Sequence, residues 1–95
     1  MMIEWPKRFH CGSYISESGK RCAVAFLGKV LGVPDPVNEG VDSEFEQEIA
    51  NRLGLSIFAI EALREANDLV WYGSVEKFKG WLELKKINLE SFNGS

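Results

Sequence analysis

The chain has one histidine and two cysteines among its 95 residues, and that scarcity removes most site chemistry at the outset. Zinc needs about four ligands, usually in paired short spacings. Here His10, Cys11 and Cys22 are the soft candidates and there is no Cys-x-x-Cys. No Gly-rich phosphate loop, EF-hand pattern or Ser-His-Asp set occurs. Accordingly no metal, no cofactor and no catalytic residue are expected. Long apolar runs are missing too. Met1 to Gly12 does not resemble a signal peptide, and no stretch approaches the roughly 20 apolar residues of a membrane-spanning helix. The expected setting is cytoplasmic and reducing, with both thiols free.

What is present is ordinary for one globular domain spanning 1–95: 45% hydrophobic and 26% charged residues, with a net charge of −3. The charge is uneven. Residues 1–35 carry five bases and three acids, 36–68 two bases and eight acids, and 69–95 four bases and three acids. An acidic middle third weighs against phosphate as the default partner.

Apolar spacing predicts an all-α domain of about four short helices. The first runs from about Lys20 to Leu31, with Ala23, Phe26, Leu27, Val30 and Leu31 on one stripe. Gly32 and Pro34 stop it. Residues 32–42 form a loop. The second helix starts near Ser43, where Ser43 and Glu46 match a capping box, and buries Phe45, Ile49, Ala50 and Leu53. The third starts at Ser56 and buries Ala59, Ile60, Leu63, Ala66 and Val70, with Asn67 and Asp68 terminating it. Ser74 caps a fourth, which buries Val75, Phe78, Trp81 and Leu82 and ends at Lys85 and Lys86. Residues 1–19 read as an irregular aromatic covering segment around Trp5, Phe9 and Tyr14, with room for a short hairpin. Residues 88–95 read as a flexible tail.

Residues 46–66 pair Ala50, small enough for close helix approach, with Gly54 at a tight turn, while Leu53, Leu55, Ile60 and Leu63 fill the angle. This spacing resembles the helix-turn-helix of bacterial repressors over about a fifth of the chain. The resemblance implies that Ser56, Ile57, Phe58, Glu61, Ala62 and Glu65 face outward. Those positions offer carboxylates and apolar groups where DNA wants Arg, Asn or Gln. Arg64 is the helix's only base. A looser pattern, Cys22-Ala23-Val24-Ala25-Phe26-Leu27, then Asn67-Asp68, then Ser74-Val75-Glu76, resembles small uncharacterised bacterial and phage proteins. It departs at Ala25, where glycine is expected, and implies no activity.

The leading functional expectation is a non-catalytic protein-interaction module, of a kind phages and other mobile elements carry, docking on a host protein with a basic surface. Ile57, Phe58, Glu61, Arg64, Trp71, Tyr72, Glu44 and Glu48 are its candidate binding residues. Glu39, Asp42, Glu44, Glu46 and Glu48 make an acidic run, expected as a solvated helix start or a docking face. The second expectation is a helix-turn-helix regulator. A folded basic patch of Lys7, Arg8, Lys20, Arg21 and Lys29 would favour nucleic acid. The third is a cysteine hydrolase using Cys11, activated by His10. Neither oligomeric state nor process follows from the sequence.

Overall fold

In a computed structural model that describes residues 3–37 and 40–92, the chain folds as α1 (Ala23–Leu31), α2 (Ser43–Leu53), α3 (Ile57–Leu69) and α4 (Val75–Leu84), followed by a 3-10 turn at Leu89–Ser91. There is no sheet among the described residues. The principal extents are 29 × 26 × 24 Å.

Helix α1 is central. Ala23 to Gly28 and Leu31 are all buried, so apolar contact surrounds the helix instead of following one stripe. Gly28 makes this possible, because a Cβ there would stand 2.8 Å from the Phe45 ring of α2. The helix starts at Ala23, three residues later than the periodicity predicts. Lys20 and Arg21 belong instead to a hairpin: Ile15 and Arg21 form an antiparallel bridge, and Ser16 N–H donates to the Lys20 carbonyl. Cys22 then caps α1, its Sγ accepting from Ala25 N–H at 3.4 Å.

The cap of α2 is Asp42, whose carboxylate accepts from Phe45 N–H at 3.1 Å; Ser43 is the first helical residue. The expected Ser43–Glu46 capping box does not form. Once the cap shifts by one residue, Glu46 moves out of the N3 position and its side chain turns into the protein interior. Gly54 ends α2 in a left-handed conformation, φ 70°, and Leu55 N–H returns to the Ala50 carbonyl. Ser56 caps α3 two residues later. The pair α2–turn–α3 therefore has the expected tight connection.

Helix α3 continues through Asn67 and Asp68 to Leu69, where termination was expected. Asn67 is 1% exposed, and its Nδ2–H groups donate to the His10 carbonyl at 3.0 Å and to Asp68 Oδ1 at 2.9 Å. A partner across the fold offsets the poor helix propensity of asparagine. Val70, expected inside, is 68% exposed because the helix ends before it. Within the expected tail, Leu89 is 3% exposed and packs into the core. Residues 93–95 of that tail, and Glu39 of the acidic run, lie outside the described residues.

The N-terminal segment covers α1 and α4 as expected. Trp5 and Phe9 pack on Phe26 of α1 and Phe78 of α4, with ring centroids 5.1–6.1 Å apart, and Tyr14 meets Phe45 edge-on at 5.2 Å. Backbone bonds pin it at two points: His10 N–H donates to the Arg21 carbonyl and Phe9 N–H to the Gly73 carbonyl.

Candidate functional site: a basic cleft beside a buried polar network

The two halves of the N-terminal segment border an open cleft of about 910 Å³ against the C-terminal half of α1. Lys7 and Arg8 come from the first half, Lys20 and Arg21 from the hairpin, and Lys29 from the last turn of α1. All five bases of residues 1–35 thus meet on one depression, with Glu4 as its single acid. Its floor includes half-buried Trp5, Pro6 and Val30. Lys79 adds a sixth cation above, its Nζ 4.8 Å from the Trp5 ring centre.

The cations differ in freedom. Arg21 makes a two-pronged pair with Asp35, 2.7 and 3.1 Å, which holds the Asp35 carboxyl below its ordinary pKa. Arg8 is positioned by its Nε–H, which donates to the Tyr72 carbonyl at 2.8 Å. Among the described residues Lys7, Lys20 and Lys29 form no ion pair. Asp35 lies on a smaller acidic depression of about 190 Å³ with Asp42, Glu44 and Glu48, so the Arg21–Asp35 pair marks the border between opposite charges.

A second polar constellation lies inside. Tyr14 Oη–H donates to Glu46 Oε2 at 2.5 Å, and Arg64 Nε–H donates to the same oxygen at 2.7 Å. Asp42 N–H donates in turn to Tyr14 Oη at 3.0 Å. Glu46 is 1% exposed. Burial, then the bond to Glu46, pushes the Tyr14 phenol well above its usual pKa. The network ties the N-terminal segment to α2 and α3. It also uses up Arg64, so α3 presents no free base to a nucleic-acid groove.

The expected binding residues do not gather. Ile57, Phe58 and Glu61 sit at the start of α3, and Trp71 and Tyr72 follow its end, about 18 Å away at 1.5 Å per residue. Phe58 is 75% and Tyr72 61% exposed, whereas Trp71 packs on the core. Glu44 and Glu48 line the acidic depression on α2, and Arg64, half-buried, is paired to Glu46. The acidic run is not continuous, since Glu46 is withdrawn from it.

Among the described residues His10 makes no hydrogen bond to Cys11. His10 Nε2 lies 2.8 Å from Ser13 Oγ, and Cys11 Sγ donates to the Asn67 carbonyl at 3.4 Å. Burial and nearby Asp68 raise the thiol pKa, the opposite of what a nucleophile needs. Cys22 is buried and its thiol pKa is pushed up to about 11 by desolvation. Among the described residues no three His, Cys, Asp or Glu side chains converge on a metal position, and no helix is long and apolar enough to cross a membrane.

Comparison with known proteins supplies no further guide: no protein family, curated protein or solved structure matches this chain.

Tyr14, Glu46 and Asn67 are the polar residues that sequence reasoning missed. Glu46 imitates a cap and Asn67 a helix terminator, while Tyr14 has no local pattern that points to a carboxylate 32 residues away.

Proposed function

We propose that the protein is a non-catalytic recognition module that binds an anionic macromolecule through the basic cleft. One observation carries this reading: five bases from three separate stretches converge on one concave surface of a chain whose net charge is −3. Neutral-pH attraction of a polyanion to an acidic protein of pI about 5.1 requires such local concentration. The positioning of Arg8 by Tyr72 reduces the entropy lost when it grips an anion. The test is retention on immobilised heparin at low salt. Wild type should be retained, and Lys7→Glu with Lys20→Glu should abolish retention. Lys77→Glu with Lys85→Glu, which changes net charge equally outside the cleft, should preserve most of it. Equal loss in both double variants would sink the proposal.

A second reading, docking on another protein, draws on exposed apolar side chains. Phe58 is 75%, Leu69 69%, Val70 68% and Tyr72 61% exposed. Its test is capture of a specific partner that Phe58→Ser or Tyr72→Ser loses. The same capture by both variants would remove it.

A further inference from the structure

We infer that the anionic ligand of the cleft is single-stranded nucleic acid, held by its phosphates on the Lys and Arg rims with bases against the apolar floor; this rests on the anion-binding reading above. The cleft has two chemical zones. Cations enter its lining from three stretches of chain: Lys7 and Arg8, Lys20 and Arg21, and Lys29. The same lining includes the half-buried apolar surface of Trp5, Pro6 and Val30. A nucleic-acid strand is divided the same way, with a charged edge of phosphates and flat apolar faces on its bases. Strands are commonly bound by a basic groove with aromatic surface inside it. An acidic peptide supplies charge without an apolar face at each charged unit, so it leaves the floor unused.

The volume, about 910 Å³, is in the range of ligand clefts, roughly 300–1,000 Å³, and suits a few nucleotides. A duplex fits less well. Its phosphates lie on a convex surface and its bases face inward, away from Trp5. The alternative docking element, α3, turns Glu61 and Glu65 outward and has its one base paired to Glu46. The hairpin that carries Lys20 depends on Gly19, φ +87°, for its turn, so two short backbone segments fix the rim cations without any sheet.

Charge counting sets the expected salt response. Lys7, Arg8, Lys20 and Lys29 are the cleft cations without an ion pair among the described residues. Four phosphate contacts on a single strand give a slope of log K against log salt of about −3.

The experiment is fluorescence anisotropy of the intact chain with a labelled short thymidine strand. The competitors are the matching duplex, polyglutamate and inorganic polyphosphate. The inference expects strand binding with a slope near −3 and at least a tenfold loss in Lys7→Glu with Lys20→Glu. It also expects the strand to bind more tightly than polyphosphate of equal charge, because polyphosphate has no apolar face to set against the apolar part of the lining. Circular dichroism confirms that the variant, changed only at exposed positions, stays folded. Binding of polyglutamate or polyphosphate as tightly as the strand overturns this inference but leaves the anion-binding reading in place. So does preference for the duplex. Absence of binding to every polyanion at low salt overturns both.

Discussion

Replacing Arg64 with alanine tests the buried network that ties Tyr14 of the N-terminal segment to α2 and α3. Glu46 is 1% exposed in its side chain and Arg64 23%, and they share a 2.7 Å bond. In the Arg64→Ala variant the carboxylate keeps only the Tyr14 hydroxyl as a side-chain partner. Breaking a fully buried pair from one side costs about 3–5 kcal/mol, because the remaining charge is uncompensated. Partial exposure of Arg64 lets water share the vacated site, which lowers this to about 2–4 kcal/mol. For a domain of this size each kcal/mol moves Tm by about 4–8 °C, so the fall is roughly 10–30 °C. Arg21→Ala is the control. Its pair with Asp35 has side-chain exposures of 22% and 52%, and such a pair contributes at most about 1 kcal/mol. Urea unfolding followed by tryptophan fluorescence measures both variants. An Arg64→Ala loss no larger than that of Arg21→Ala would refute the reasoning, since it would mean that Glu46 gains solvent when its partner is removed. Glu46→Gln should cost less than Arg64→Ala, because it leaves a hydrogen-bonding amide and no orphaned charge in the interior.

Three further outcomes follow from other parts of the fold. The Cys22 thiol pKa is raised from 9.0 to about 11, so the folded state favours the neutral thiol; its contribution is fully present below pH 9 and fades as pH rises to about 11, on the order of 3 kcal/mol. Tyr14, also raised, acts in the same direction at higher pH, and urea midpoints measured across the alkaline range should fall less steeply in Cys22→Ala. Gly73→Ala should destabilise more than Gly54→Ala, by about 2 kcal/mol or more against about 1, because both need a left-handed backbone but a Cβ on Gly73 would stand 2.3 Å from the Phe9 carbonyl oxygen while Gly54 faces open space; equal Tm losses would contradict this. Cys11 should react with iodoacetamide more slowly at neutral pH than a free thiol, since its pKa is raised, and a rate above that of the free thiol would restore the hydrolase expectation.

Local patterns made much of the fold legible and little of the site. The helix stops at Gly32 and Gly54 and the caps at Ser56 and Ser74 use signals within four residues, and these appear where the sequence places them. The four-helix architecture, without a sheet among the described residues, follows from such signals together with apolar spacing. Two of the misreadings involve a partner far along the chain, and a third involves a local hairpin. Asn67 stays helical because His10 accepts its amide hydrogen from 57 positions away. Glu46 is internal because Tyr14 and Arg64 satisfy it, so a plausible capping box loses to a tertiary contact. Lys20 and Arg21 leave α1 because the backbone of residues 15–16 offers them a hairpin. The basic cleft has the same origin. Regional charge counts reveal that residues 1–35 are basic, but the antiparallel return at Gly19 is what gathers those bases on one side. The acids of the middle third do not form one face: Asp42, Glu44 and Glu48 line a depression, whereas Glu46 is in the interior.

The most direct measurement is a residue-resolved map of where a polyanion touches the protein. Backbone amide chemical shifts, followed by nuclear magnetic resonance while a short single strand is titrated in at low salt, provide it. The account predicts that the largest shifts fall on residues 4–9, 19–21 and 29–30, with Trp5 indole N–H moving too, and that 57–65 of α3 stay still. Shifts centred on Ser56, Ile57, Phe58 and Glu61 instead, with the cleft unmoved, would contradict it.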